Sequence, residues 1–124
     1  MNKRILIAED SSAIQNLVRN VLKFQKYDIE IAKNGQNVLD LLVENMYNAI
    51  ILDLNMPVMN GIECATKIRA LEDEKANIPI IALTGNAQNF TREEFLQMGF
   101  NEYLPKPINF DDLIKTLNLV CTEI

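Results

Sequence analysis

Five short apolar runs divide this chain, and the segments between them repeat their apolar residues at helical spacing. The runs occupy residues 5–8, 28–32, 48–54, 78–84 and 101–104. Short, nearly continuous apolar runs are typical of strands that are covered on both faces, and their alternation with helices is typical of βαβ units. The pattern therefore predicts an α/β fold, a doubly wound (βα)5 arrangement around a five-stranded parallel sheet.

The predicted helices begin and end at recognisable signals. Ser11 and Ser12 are candidate N-caps of an amphipathic first helix, whose apolar residues are Ile14, Leu17, Val18, Val21 and Leu22. Thr91 and Glu94 form a capping-box pattern before the fourth helix, and Gly99 is a typical stop after it. The second helix follows the turn at 34–35, the third is predicted from about 61 to 71, and the fifth begins near 109.

Length and patterning predict one domain that covers residues 1–124. A chain of 124 residues with 48% hydrophobic residues is the size of one ordinary domain, and it can bury a core without disulfides or structural metals. No repeat, polar linker or charge run marks an internal boundary. Because the chain has neither a signal-like segment nor an apolar stretch long enough for a bilayer, we expect a cytoplasmic protein.

Composition excludes several classes of function. The chain has no histidine, so it cannot contain a Ser-His-Asp or Cys-His pair, an imidazole metal site or a phosphohistidine. Cys64 and Cys121 are far apart in sequence, which predicts two reduced thiols and no zinc site. A net charge of −5 opposes binding to a nucleic-acid backbone.

Polar and charged residues stand where the predicted strands end. Glu9 and Asp10 follow the first strand, Asp53 and Thr84 lie at the ends of the third and fourth, and Lys106 follows the fifth. In a doubly wound sheet the carboxyl ends of the strands form the ligand site, so these side chains can converge there. Clustered carboxylates require a counter-charge, and Mg²⁺ suits such oxygen ligands while leaving room for phosphate. Asp53 ends the most hydrophobic strand and is the best candidate for a nucleophile toward phosphorus.

Four segments together resemble the receiver domains of bacterial two-component response regulators, over essentially the whole chain. They are the acidic pair ED at 9–10, LDLNMPVMNG at 52–61, ALT at 82–84 and GFNEYLPKP at 99–107. The resemblance implies a flavodoxin-like strand order, 2-1-3-4-5. It also implies a phosphorelay function, in which Asp53 accepts a phosphoryl group from a phosphohistidine of a sensor histidine kinase or a histidine phosphotransfer protein.

The same resemblance assigns a magnesium site. It implies that Mg²⁺ is held by Asp10, Asp53 and the backbone carbonyl of Asn55, and that Glu9, where the family commonly has aspartate, acts through metal-bound water. Asn55 and Asn86 are expected to flank the water that hydrolyses the phosphorylated form.

A switch and an output surface are implied as well. Lys106 is expected to pair with the phosphoryl oxygens and to precede a cis bond to Pro107, while Thr84 and Tyr103 are expected to move together. Their movement is expected to alter the surface of the fourth helix, fifth strand and fifth helix, to which an unknown target protein binds. We expect a stand-alone signalling domain rather than an enzyme, and phosphorylation-dependent dimerisation is a further option.

Three alternative functions have distinct sequence requirements. A haloacid-dehalogenase-type phosphatase needs D-x-D at the nucleophile, whereas this chain has Asp53-Leu54-Asn55 and lacks the second acid. A flavodoxin-like mononucleotide binder needs a glycine-rich or hydroxyl-rich phosphate loop after the first strand, where this chain has two acids. A pseudo-receiver that only binds a partner does not need the intact set of Asp53, Thr84 and Lys106.

Overall fold

The computed structural model describes residues 2–56, 58–85 and 89–121. Within these ranges strands and helices alternate, and a 3₁₀ turn, Glu74–Asn77, precedes the fourth strand. The strands are β1 (Arg4–Ala8), β2 (Asp28–Ala32), β3 (Ala49–Asp53), β4 (Ile80–Thr84) and β5 (Glu102–Pro105). The helices are α1 (Ser12–Phe24), α2 (Gly35–Glu44), α3 (Gly61–Arg69), α4 (Arg92–Gln97) and α5 (Phe110–Cys121).

The five strands form one parallel sheet in the order β2-β1-β3-β4-β5, which confirms the predicted fold class and strand order. The chain moves outward from β1 to β2 and then crosses back to β3 on the other side of β1. The carboxyl ends of β1 and β3 therefore flank the point where the strand order reverses, which is where doubly wound sheets bind ligands. Ala8 pairs with Leu52, so Glu9, which follows β1, and Asp53, the last residue of β3, meet at that edge.

Two apolar layers cover the sheet. Every residue of β3 and β4 is buried, as expected for central strands with helices on both faces. Buried side chains of α1 and α5 share one cluster with alternate strand residues, while those of α2, α3 and α4 share the cluster on the opposite face. The helices thus hold the sheet between them, and the charged strand ends remain at its rim.

Local signals explain most element boundaries. The Ser11 side chain accepts a hydrogen bond from the Ile14 amide, and the Thr91 capping box is complete. Gly99 has a φ of +105°, the left-handed geometry expected after α4. Strand β4 starts at Ile80, two residues later than predicted, because Pro79 has no amide hydrogen for the ladder.

Helix α3 is shorter than the sequence predicts, ending at Arg69 rather than near residue 71. The Arg69 guanidinium donates hydrogen bonds to the carbonyls of Ala76, Ile78 and Gly99, so the last residue of α3 is tied to the segment before β4 and to the end of α4. Cys64 and Cys121 are free, as predicted, and both are buried. Among the described residues there is no helix long and apolar enough to cross a bilayer.

Candidate functional site

Three carboxylates meet at the carboxyl edge of the sheet, between β1 and β3. Glu9 and Asp53 are each 1% exposed, whereas Asp10 faces solvent. One carboxylate oxygen from each of the three residues lies within 4.8 Å of the others. The sequence predicted this convergence, and the structure adds that two of the three charges are buried.

Lys106 supplies the cation of this cluster. Its Nζ lies 2.7 Å from Asp53 Oδ2, to which it donates a hydrogen bond, and 3.4 Å from Glu9 Oε2. The backbone positions the Lys106 side chain. Lys106 directly follows the last paired residue of β5, and its amide donates a hydrogen bond to the Thr84 carbonyl at 2.9 Å. The Lys106-Pro107 bond is cis, as the family resemblance predicted.

The cluster perturbs the protonation of its own members. Burial raises the pKa of Glu9 from 4.5 to about 7, and the charge of Asp53 adds to the increase, although the Ser11 amide and the Lys106 ammonium oppose it. Burial lowers the pKa of Lys106, but its hydrogen bond and charge interaction with Asp53, together with the charge of Glu9, raise it on balance. Lys106 is therefore fully charged at neutral pH, while Glu9 titrates near neutrality.

The donor set fits a small hard cation. Asp53 Oδ1 accepts a hydrogen bond from the Asn55 amide at 3.0 Å, and Glu9 Oε1 accepts one from the Ser11 amide at 3.1 Å. Glu9 Oε2 is buried and, despite its proximity to Lys106, makes no hydrogen bond. One ammonium cannot neutralise three carboxylates, and oxygen-only donors with an exposed member are the kind of site that Mg²⁺ occupies.

Two further predicted residues lie on neighbouring strands. Thr84 is 2% exposed at the end of β4, directly after Leu83, which pairs with Asp53. Tyr103 is half-buried in β5 opposite Ala82, two positions before the strand end. The structure thus brings Glu9, Asp10, Asp53 and Lys106 into one cluster and sets Thr84 at the adjoining strand end, while Tyr103 lies further back along the sheet.

The whole arrangement matches one protein family. The family model for the response regulator receiver domain matches residues 5–118. This chain is a response regulator receiver domain. Phosphorelay signalling within two-component systems is the function of that family, whose members bind Mg²⁺ at an acidic site and interact with histidine kinases and downstream effectors.

Curated relatives and solved structures agree with this assignment. The receiver domain is 37% identical over 98% of its length to hybrid signal transduction histidine kinase I of Dictyostelium discoideum, of which it covers 7%. It is 38% identical over 88% of its length to the transcriptional regulatory protein SrrA of Staphylococcus aureus, of which it covers 44%. The chain thus spans less than half the length of the curated relatives it matches.

A solved receiver domain shares both the fold and a comparable sequence. It belongs to the sensor histidine kinase PA1611 of Pseudomonas aeruginosa, and its structure has a magnesium ion coordinated in the active-site cleft. The two chains are 32% identical with a TM-score of 0.89, over 98% of this chain and 99% of the other.

Sequence reasoning missed some supports of the receiver site. Ser11 was expected only to cap α1, yet its amide also donates to the Glu9 carboxylate. The Gln15 side chain donates to the Glu9 backbone carbonyl, which ties the first turn of α1 to the end of β1. The available signal in the sequence was Gln15 itself, a polar residue about one turn into an otherwise apolar face of α1. Asn86, expected beside the hydrolytic water, and Pro57, part of the family motif, lie outside the described residues.

Proposed function

We propose that this receiver domain accepts a phosphoryl group onto Asp53 from a phosphohistidine of a sensor histidine kinase or histidine phosphotransfer protein. The observation that supports this role is the burial of Asp53 within hydrogen-bond distance of Lys106, beside two further carboxylates. A buried strand-end carboxylate with one lysine partner has no structural need for two more acids around it.

Asp53 acts as the nucleophile in this proposal. A carboxylate oxygen attacks the phosphorus, a P–O bond forms, the P–N bond to the donor imidazole breaks, and the electron pair leaves with the imidazole nitrogen. The Asn55 amide and the Lys106 ammonium bind different oxygens of Asp53 and so fix the orientation of the carboxylate. Lys106 remains protonated and stays within reach of the oxygens that the phosphoryl group brings.

Glu9, Asp10, Asp53 and the Asn55 carbonyl are the residues that would hold Mg²⁺. When bound, the ion supplies positive charge that offsets the charge of the carboxylates and of the phosphoryl oxygens. In this assignment Asp10, Asp53 and the Asn55 carbonyl would bind the ion directly, and Glu9 would act through metal-bound water.

The receiver domain is a signalling domain, and we propose that it assists the transfer and the later hydrolysis of its own phosphoryl group. Asn55 occupies the position at which a phosphatase of the haloacid-dehalogenase type carries its second acid. An amide cannot protonate a leaving group, so the residues that favour acceptance from phosphohistidine do not favour steady hydrolysis of phosphomonoesters.

The proposed output is a change in the surface formed by α4, β5 and α5. Phosphorylation adds roughly one to two negative charges, and the Thr84 hydroxyl moving toward them favours one of two arrangements of Tyr103 and the adjacent loop. We propose that residues 1–124 act as one cytoplasmic receiver domain whose altered surface binds a target protein, with a phosphorylation-dependent dimer as one form of output.

Intact-protein mass spectrometry after incubation with acetyl phosphate tests the proposal. We expect one phosphoryl adduct that requires both Mg²⁺ and Asp53. Asp53→Asn should lose the adduct while retaining a cooperative thermal melt, and Asp40→Asn, which changes an exposed carboxylate on α2, should retain it. An adduct on folded Asp53→Asn would contradict the assignment by placing the phosphoacceptor at another residue. No adduct on the folded unsubstituted protein would contradict it in favour of a pseudo-receiver.

A further inference from the structure

Tyr103 lies on an edge strand with a small neighbour. It pairs with Ala82 of β4, whose methyl group offers little surface for the ring to pack against. The ring turns instead toward α4 and stacks on Phe95, with a centroid separation of 4.4 Å and an interplanar angle of 13°. Among the described residues, Phe95 is the one aromatic ring that Tyr103 contacts, so the orientation of the tyrosine depends on α4.

Phe95 is itself held rigidly. It is 1% exposed, and the rings of Phe90 and Phe100 meet it edge-to-face at centroid separations of 5.5 and 6.2 Å. Edge contacts on two sides and a stack on the third restrict rotation of the Phe95 side chain. The phenylalanine therefore presents a fixed flat surface to Tyr103.

A second connection joins the same two elements at the surface. The Arg92 guanidinium in the first turn of α4 donates two hydrogen bonds, of 2.9 and 3.0 Å, to the two carboxylate oxygens of Glu102 in β5. Glu102 immediately precedes Tyr103, and Arg92 lies three residues before Phe95, close to one helical turn. The bidentate ion pair and the ring stack both join α4 to β5 beside Tyr103, so a shift of α4 along β5 would change the Tyr103 environment.

We infer that Phe95 is a positioning residue for the tyrosine of the switch: its ring selects the side-chain orientation of Tyr103 and couples that orientation to the position of α4. The inference deepens the proposed function and rests on Tyr103 being part of the phosphorylation response. Loss of the Phe95 ring should leave phosphoryl transfer to Asp53 intact, because Phe95 does not contact the acidic cluster, while Tyr103 loses its single starting orientation.

Phe100 provides a matched control. It is as buried as Phe95, belongs to the same apolar cluster and has the same side chain, but it contacts Phe95 rather than Tyr103. Phe95→Leu and Phe100→Leu should therefore both lower the melting temperature through the loss of a buried ring. Only Phe95→Leu removes the ring that stacks on the tyrosine, so it should change the surroundings of Tyr103 far more than Phe100→Leu does, which separates positioning from general packing.

The test is the ring spectrum of Tyr103 in protein with ¹³C-labelled tyrosine, assigned by Tyr103→Phe among the three tyrosines of the chain. In the unphosphorylated protein we expect a ring-current shift at Tyr103 that Phe95→Leu abolishes and that Phe100→Leu and Phe95→Tyr retain. Should Phe95→Leu fail to fold, Phe95→Met replaces it, because the flexible thioether fills the space without a ring. After acetyl phosphate and Mg²⁺, Phe95→Leu should show the same mass adduct and a smaller change at Tyr103.

Two results would overturn the inference: an unchanged Tyr103 shift in Phe95→Leu or Phe95→Met, or an equal loss of the shift in Phe100→Leu. Failure of the proposed function is distinguishable, because the first measurement uses unphosphorylated protein and needs no chemistry at Asp53. If no protein in the series acquires an adduct, the phosphoacceptor assignment fails whatever the ring spectra show. An adduct with an unchanged Tyr103 shift in Phe95→Leu contradicts only the role of Phe95.

Discussion

Two charged clusters on this sheet contain similar groups but differ in their balance of positive and negative charge. Near the amino-terminal end, Arg4 lies 3.4 Å from a carboxylate oxygen of Glu30 and 4.9 Å from the ring centroid of Tyr47, whose hydroxyl donates to the same carboxylate. At the carboxyl end, Lys106 contacts Asp53 and Glu9, with Asp10 beside them. The first cluster has one cation for one carboxylate, and the second has one cation for three.

The comparison separates a charge cluster that is satisfied within the fold from one that requires a ligand. The Arg4 and Glu30 side chains are 44% and 40% exposed, so water screens them and their pairing contributes little stability. Glu9 and Asp53 are buried beside a single ammonium, and their excess negative charge destabilises the protein unless another cation binds. Local excess of buried charge, rather than the presence of an ion pair, identifies the functional end of the sheet.

The largest expected difference follows from removing the cation of each cluster. Lys106→Met leaves three carboxylates without a counter-charge and should lower the free energy of unfolding by about 3 kcal/mol at pH 8 without Mg²⁺. Arg4→Met removes one half of an exposed pair and should cost less than about 1 kcal/mol. Urea denaturation of both variants measures the two costs, and equal losses would remove the distinction between the clusters.

Neutralising a carboxylate in each cluster should have opposite effects. Glu9→Gln removes a buried charge whose burial is unfavourable, so we expect it to stabilise the metal-free protein at pH 8 by about 2 kcal/mol. Glu30→Gln removes the negative charge from a satisfied pair but keeps an acceptor oxygen, and it should destabilise by less than about 1 kcal/mol. Glu9→Gln should weaken Mg²⁺ binding at the same time, which calorimetric titration measures.

The effect of Glu9 should depend on pH in a defined direction. The pKa of Glu9 is raised in the folded protein to about 7 from 4.5, so the stability it contributes is present at low pH and is lost as the pH rises through 7. The free energy of unfolding of the unsubstituted protein, relative to Glu9→Gln, should fall by about 2 kcal/mol between pH 5 and pH 8. Denaturation at both pH values without Mg²⁺ tests this, and a pH-independent difference would show that Glu9 titrates normally.

The sequence predicts the location of the acidic cluster because geometry leaves little choice. Parallel strands bring their carboxyl ends to one edge, so Glu9, Asp53 and Lys106 had to approach one another once the strands were identified. The strand order itself came from the family resemblance, since alternating strands and helices are compatible with more than one order. The cis bond before Pro107 likewise came from resemblance and is confirmed.

Burial and side-chain packing were harder to predict. Glu9 and Asp10 are adjacent in sequence, yet one is buried and the other exposed, because the start of α1 and Lys106 cover only Glu9. The stack of Tyr103 on Phe95 depends on where α4 settles against β5, which no local pattern specifies. Sequence therefore predicts which residues reach the site, and the packing of neighbouring helices decides how each is held.

Asp10 should show the smallest effect on stability and still affect the site. Its carboxylate is exposed, so Asp10→Asn should change the free energy of unfolding without Mg²⁺ by less than about 0.5 kcal/mol. If Asp10 is a direct ligand, Mg²⁺ affinity should fall at least about tenfold, since even residues outside the ligand shell commonly contribute that much. Asp40→Asn, which changes another exposed carboxylate, on α2, should leave both quantities unchanged. If Mg²⁺ affinity is unaltered in Asp10→Asn, the buried pair of Glu9 and Asp53 holds the ion. The exposure of Asp10 at the rim of the sheet then serves access of the phosphodonor rather than metal binding.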